Sequence, residues 1–310
     1  MVFAKIDTIE LLEQRKFFGM DVFVLITING NAKINLTLDI LGKREDGYHE
    51  VAMVMQSIGL HDTLEMEKTS GEILLDIDVP GLEADERNLA WKAADLVIRR
   101  FHPGGGVHIR LTKRIPIAAG LAGGSTDAAA VLRGMNELYG LGLEDGKLCE
   151  LGAEIGSDIP FCIMGGTMLA TGRGEVLERL PDMPGMSVVL AKPKISVSTA
   201  WAYQNYDAHG AQQHPDNGAI QRAIASGDGK SVAKLLCNVL ESVTIKKYEV
   251  ISKYKQMMME HGALASMMSG SGPTVFALVE SEERAKDIAA FMRQAADAEV
   301  FVTETVGRAG

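Results

Sequence analysis

The chain has 310 residues, 46% hydrophobic and 23% charged, enough to bury one large core or two of ordinary size. Its formal net charge of −10 argues against a nucleic-acid partner, which demands clustered lysine and arginine, but leaves a nucleotide enzyme open, since backbone amides and one or two cations suffice there. Three widely spaced cysteines, Cys149, Cys162 and Cys237, disfavour a disulfide framework or a zinc site and fit a reducing cytoplasm.

Residues 1–23 read as an N-terminal extension. Asp7, Glu10 and Glu13 interrupt any signal-peptide core, residues 10–18 suit either a short helix or a poorly ordered extension, and Met20 is a second candidate start. Nowhere does an uncharged apolar run approach the ~20 residues that span a bilayer, so no membrane partner is expected. Strands are expected over 23–28 and 32–40. In the second, Ile34, Leu36, Leu38 and Ile40 alternate with Lys33, Asn35, Thr37 and Asp39. A polar turn over 42–47 leads to an apolar run over 51–58 and strands over 62–68 and 72–78. The first helix spans 88–101 with Asn88 as N-cap, and glycines 104–106 break the chain before a strand over 107–113. A helix starting near Ser125 stops at Gly140, and another spans 144–155.

Pro181, Pro184 and Pro193 punctuate the second half and place a lobe boundary near 181. Beyond it lie a strand over 187–191 and helices over 199–206, 218–226, 229–239 and 246–261. Strands over 263–268 and 274–279 flank Ser269-Gly-Ser-Gly-Pro273, and a helix over 282–297 and a strand over 299–306 finish the chain. The mixture is α+β in two lobes, 24–180 and 181–310.

The strongest chemical signal is the loop Pro116, Ile117, Ala118, Ala119, Gly120, Leu121, Ala122, Gly123, Gly124, Ser125 and Thr126. Its glycines allow close backbone approach and positive φ, and the helix after it presents free N–H groups and a dipole to an anion, here the phosphates of ATP. It matches neither GxxxxGK[ST] nor GxGxxG. Ser125 or Thr126 is a candidate for phosphate or Mg²⁺, and no carboxylate cage for Mg²⁺ is visible, as is normal when nucleotide and water hold the ion. Asn35 lies two residues beyond Lys33, so a strand carries both on one face. Read locally, Lys33 could equally be a solvent-facing strand residue and Asp158 a helix cap after Gly156.

This loop resembles the second signature of the galactokinase, homoserine kinase, mevalonate kinase and phosphomevalonate kinase (GHMP) superfamily. Asn31-Ala-Lys-Ile-Asn-Leu36 and Met268-Ser-Gly-Ser-Gly-Pro-Thr-Val-Phe276 resemble the first and third, in order from about residue 24. Within it, Ala32–Leu36, Gly42-Lys-Arg-Glu-Asp-Gly-Tyr-His49 and Gly156-Ser-Asp-Ile-Pro160 resemble the kinase family acting on 4-diphosphocytidyl-2-C-methyl-D-erythritol. The resemblance implies a two-lobed GHMP kinase fold, ribosomal-S5-like at the N-terminus and ferredoxin-like at the C-terminus. It implies ATP with Mg²⁺, and a small-molecule substrate with a cytidine diphosphate moiety, phosphorylated on its 2-hydroxyl. Asp158 becomes the catalytic carboxylate and Lys33 its partner; Asn35, on the same strand face as Lys33, is then a candidate substrate contact near the reacting hydroxyl. Tyr48 stacks on cytosine and His49 hydrogen-bonds it. Thr199 and Tyr203 contact the substrate from the second lobe, with Trp201 an equally good aromatic platform. The turn 269–272 either closes over phosphates or substrate or is a plain β-turn. Rival readings are a mevalonate or homoserine kinase, a non-catalytic nucleotide sensor, and an RNA-binding module, the last disfavoured by the acidic balance.

Overall fold

The computed structural model describes residues 24–308 in full and the backbone of 5–6 and 9–13. Strands β1 (Lys5–Ile6) and β2 (Ile9–Glu13) pair antiparallel, and β2 adds to the edge of β3 (Val24–Lys43). Residues 10–13 are therefore strand, not part of a short helix. The edge of β3 satisfies their backbone groups, which a lone turn of helix would leave open. Residues 14–18 of that expectation lie outside the described residues.

β3 runs antiparallel to β4 (His49–Thr69), and each fuses two strands expected separately. Register shifts at Asn31/Lys33, Asn35/Thr37 and Ile40/Gly42 explain the fusion: bulges bend the ladder where the pattern breaks instead of ending it. β5 (Ile73–Ile77) lies parallel to β6 (Gly106–Thr112) on one half of β4. Helix α1 (Leu89–Phe101) starts at the expected cap, where Asn88 accepts the Ala90 N–H. α2 (Gly123–Tyr139) begins two residues before Ser125, so Gly123 and Gly124 are already helical. α3 (Asp145–Ile155) and the short α4 (Ile159–Met164) follow. β7 (Thr167–Thr171) and β8 (Val176–Arg179), like α4 unforeseen, complete the other half of β4.

In the second half, β9 (Ser187–Pro193) is followed by α5 (Thr199–His209), α6 (Asn217–Ala225) and α7 (Gly229–Lys234). The helix expected over 229–239 stops early because β10 (Cys237–Asn238) pairs with β3. There Asn238 Nδ2 donates to the Met268 and Gly270 carbonyls (2.9 and 2.8 Å), tertiary bonds that outcompete helix propagation. α8 (Glu241–Lys247) and α9 (Glu249–Glu260) divide the expected 246–261 helix at Tyr248, whose φ of −126° and ψ of 77° are not helical. β11 (Ala265–Met268), β12 (Val275–Val279), α10 (Glu282–Ala295) and β13 (Ala298–Glu304) close the chain. The second sheet has the order β11-β12-β9-β13, the ferredoxin-like arrangement expected of this lobe.

Both faces of the long hairpin are buried. On one, Ile28, Leu64 and Met66 pack against Val97, Val131 and Met135 of α1 and α2. Gly134 permits this approach, since a Cβ there would sit 2.8 Å from Ile28 Cδ1. On the other, Ile34, Leu36 and Val54 meet Val188, Leu190 and Phe276 of the second sheet, so one apolar layer joins the two halves. Full burial of each such side chain is worth about 1.5–3 kcal/mol.

Candidate active site

A cleft of about 910 Å³ collects residues from β3, the β3–β4 turn, the loop 116–126, the start of α4, α5 and the turn before β12. The loop places three residues in the left-handed region: Ala118 (φ 51°), Gly120 (φ 75°) and Ala122 (φ 61°). Two of the three are alanines, and each carries strain of about 1–2 kcal/mol that only surrounding contacts can hold. The contacts are visible. Ser269 Oγ donates to the Gly120 carbonyl (3.0 Å), the Thr274 N–H to that of Ala119 (3.4 Å), and the Lys33 N–H to that of Leu121 (3.2 Å). The Ser269–Gly272 turn thus does more than reverse the chain: it buttresses the loop, and Gly270 and Ser271 line the cleft.

Nine of the eleven loop residues line the cleft; Leu121 and Thr126 do not. Leu121 belongs to the apolar layer between the sheets, and Thr126 Oγ1 donates to the Asn31 carbonyl (2.7 Å). Of the two hydroxyls at the helix start, only that of Ser125 faces the cleft. The N–H groups of Gly123, Gly124 and Ser125 precede the first intrahelical bond, from the Thr126 N–H to the Ala122 carbonyl, and form an anion seat at the positive end of α2.

Lys33 Nζ lies 3.6 Å from Asp158 Oδ2 and donates to Asn35 Oδ1 (2.8 Å). The lysine is nearly buried, whereas a third of the Asp158 side chain is exposed to the cleft. Asp158 occupies the N-cap position of α4, yet its side chain makes no capping bond, so the carboxylate is available for chemistry. Asn35 is wholly buried and does not line the cleft. Its place is behind Lys33, aiming the ammonium group.

At the other end, His49 Nε2–H donates to Asp207 Oδ1 (2.6 Å), and Lys43 Nζ donates to Asp207 Oδ2 (2.9 Å). These bonds hold the Asp207 carboxyl below its usual range. The Tyr203 ring packs 4.9 Å from that of His49, and burial, then the charge of Asp158, pushes its phenol up. Trp201 instead packs edge-on against Tyr248 under the ammonium of Lys247, so the aromatic brought to the cleft is Tyr203. Tyr48 is half exposed, with the Arg173 guanidinium 5.0 Å over its ring. Thr199 Oγ1 shares a hydrogen bond with Ser271 Oγ (2.9 Å) at the cleft wall.

Sequence reasoning missed a buried cluster under the loop. Lys113 Nζ donates to Asp62 Oδ2 and to Asp127 Oδ2 (2.7 Å), while Asp62 Oδ1 accepts the Arg114 and Ile115 N–H groups (2.5 and 2.8 Å). Burial raises the Asp127 carboxyl well above its usual range despite Lys113, and its Oδ1 has no partner among the described residues. The available signal was charge at both ends of an apolar segment, Lys113 before the loop and Asp127 in the first turn after it. Arg173 and Asp207 gave no such signal; only folding brings them to the cleft.

Comparison with known proteins identifies the family. The family described as GHMP kinases N terminal domain matches residues 88–166, and GHMP kinases C terminal matches 220–298. The 4-diphosphocytidyl-2-C-methyl-D-erythritol kinase of Acetivibrio thermocellus is 48% identical over 281 residues, covering 91% of this chain and 99% of its own. That of Macrococcus caseolyticus is 53% identical over 265 residues, 85% of this chain and 94% of its own. A crystal structure of 4-(cytidine 5'-diphospho)-2C-methyl-D-erythritol kinase superposes with a TM-score of 0.78 at 31% identity, covering 91% of this chain and 99% of that one. Two matched domains in order, around one cleft and with relatives this similar over nearly full length, establish that the chain belongs to the GHMP kinases and, among them, to the 4-diphosphocytidyl-2-C-methyl-D-erythritol kinase family.

Proposed function

We propose that this ATP-dependent kinase transfers the γ-phosphoryl group of ATP to the 2-hydroxyl of 4-diphosphocytidyl-2-C-methyl-D-erythritol, a step of the non-mevalonate route to isoprenoid precursors. The observation that carries the reading is one cleft with an anion seat, a lysine–aspartate pair and an aromatic-walled end.

In this reading the loop residues that face the cleft, from Pro116 to Ser125, hold the ATP phosphates through backbone N–H groups and the dipole of α2. Asp158 orients the acceptor hydroxyl and takes its proton late, since phosphoryl transfer is largely dissociative and demands little base strength. Lys33, aimed by Asn35, stabilises the alkoxide character that develops on the acceptor oxygen. Of the two hydroxyls at the start of α2, that of Ser125 faces the cleft and would hold Mg²⁺ together with nucleotide and water. Bound there, Mg²⁺ would neutralise charge on the phosphates.

Recognition of cytosine follows from proton bookkeeping at His49. The ionised Asp207 accepts from Nε2–H, so in the neutral ring Nδ1 is an acceptor. An acceptor there suits the exocyclic amine of cytosine and repels the carbonyl of uracil. Tyr203 and Tyr48 supply ring faces, and Thr199 with Ser271 the hydroxyls near the diphosphate. Neither mevalonate nor homoserine has a base to use this end of the cleft. No described helix is long and apolar enough to cross a membrane. The reading assigns the enzyme to the cytoplasm, with a small molecule rather than nucleic acid as partner, and divides it into an ATP lobe (24–180) and a substrate lobe (181–310).

The test is ADP release with 4-diphosphocytidyl-methylerythritol, its uridine counterpart, mevalonate and homoserine offered side by side. Turnover with the cytidine compound is expected. Turnover only with mevalonate or homoserine refutes the assignment, and none with any alcohol favours a nucleotide sensor.

A further inference from the structure

A second cavity, of about 430 Å³, shares no lining residue with the cleft. It lies at the end of α4 opposite Asp158, between the bulged middle of the β3–β4 hairpin, α2 and the chain segment 306–308. That segment is strapped down: the Val306 N–H donates to the Ser57 carbonyl (3.0 Å), and Gln56 Nε2 donates to the Val306 carbonyl (2.8 Å). The third wall of the cavity is therefore held in place.

The polar lining carries two guanidinium groups beside amide, hydroxyl and imidazole groups. Arg133 projects from α2, and among the described residues its guanidinium makes no ion pair. Its hydrogen bond is a long one, 3.5 Å, to the Ile163 carbonyl at the end of α4. Arg308 lies opposite and is paired with Asp145. His61 Nδ1–H donates to the Gly59 carbonyl (2.8 Å), and Asn29 Oδ1 accepts from Thr63 Oγ1, which leaves the Asn29 amide N–H₂ over. The carboxylates nearby are Asp145, taken by Arg308, and the exposed Asp182 beside Gly307.

Arg133 is the anomaly. Burial lowers its pKa, Asp145 works against that, and Arg308 adds like-charge repulsion. A guanidinium does not shed its proton in such a place, so the half-buried Arg133 stays charged with only part of its surface open to water. The buried Lys113 shows the usual solution, with two carboxylates on one ammonium. Arg133 has a cavity in that position instead.

We propose that this cavity is a second small-molecule site, which takes a phosphate group between Arg133 and Arg308. The Arg133 fork matches two oxygens of a tetrahedral dianion, Arg308 adds its charge from within its pair with Asp145, and the Asn29 amide is a neutral donor for a third oxygen. Free phosphate and a phosphate ester present the same chemistry here.

The test uses the full chain with the catalytic cleft saturated by ADP, which removes the phosphate affinity of the glycine loop. Inorganic phosphate and glycerol 3-phosphate are titrated separately by calorimetry, against sodium chloride at matched ionic strength. Saturable binding is expected, weakened at least about tenfold by Arg133→Gln and by Arg308→Ala, with ADP affinity unchanged in both. Equal affinity for the two ligands identifies free phosphate as the occupant, and tighter binding of the ester identifies a phosphorylated metabolite. No saturable signal beyond the chloride control overturns the proposal, as does affinity unaltered in the variants. If Arg133→Gln does not fold, Arg308→Ala, near the end of the chain, carries the test alone.

Discussion

Gly120→Ala isolates the junction between the phosphate loop and the turn before β12. Gly120 has a φ of 75°, where an L-residue costs about 1–2 kcal/mol. An added Cβ would also fall inside contact distance of the Ser269 carbonyl oxygen and 3.0 Å from that of Gly272. Both obstacles are backbone atoms of a turn pinned by its own bonds, Gly272 N–H to the Ser269 carbonyl and Ser269 N–H to that of Thr274 (both 2.9 Å). Neither can swing away as a side chain would, so overpacking adds about 1–3 kcal/mol, for a total near 2–5 kcal/mol. Urea unfolding measures the loss, and KM for ATP measures the displaced loop, with a rise of about tenfold or more expected for a cradle moved by an ångström. Gly146→Ala is the control: helical, with nothing within 4 Å of an added Cβ, it should stabilise by up to about 1 kcal/mol. If Gly120→Ala unfolds within about 0.5 kcal/mol of wild type with an unchanged KM for ATP, the buttress argument is wrong.

Two further outcomes follow. Asp158→Asn keeps the size of the side chain but removes the proton acceptor, so kcat should fall about 10²-fold or more with KM for ATP nearly unchanged. Near-normal kcat would remove the assigned role. Burial pushes the Cys162 thiol up to about 12 from 9.0, with the charge of Asp158 adding to the rise. Its alkylation by iodoacetamide at pH 8 should be slower than that of a free thiol by on the order of a hundredfold, higher intrinsic nucleophilicity offsetting part of the lost thiolate. Mass spectrometry of the folded and urea-unfolded chain measures this, and equal rates would show the site to be open.

Features that depend on a few neighbours were legible in the sequence. Asn88 caps α1 as expected, alternation over 32–40 gives a strand carrying Lys33 and Asn35 on one face, and the glycine loop ends in a helix. Three ordered motifs named the family, because backbone approach, a lysine and an aspartate demand particular residues at particular places. The aromatic choice stayed open, since Trp201 and Tyr203 are two residues apart on one helix and either ring would serve a base.

What the sequence determined by itself was therefore conformation and chemistry of short range: caps, alternation, turn glycines and the identity of the reactive side chains. Tertiary structure decided which of those side chains meet. Bulges joined four expected strands into two, and a β10 pairing ended a helix early. Packing turned Leu121 and Thr126 of the loop inward, set Asn35 behind Lys33, and chose Tyr203 over Trp201. The Lys113 cluster and the cavity beside Arg133 also exist only in three dimensions, because burial and hydrogen-bond partners belong to contacts between distant segments, and local propensity carries no record of them.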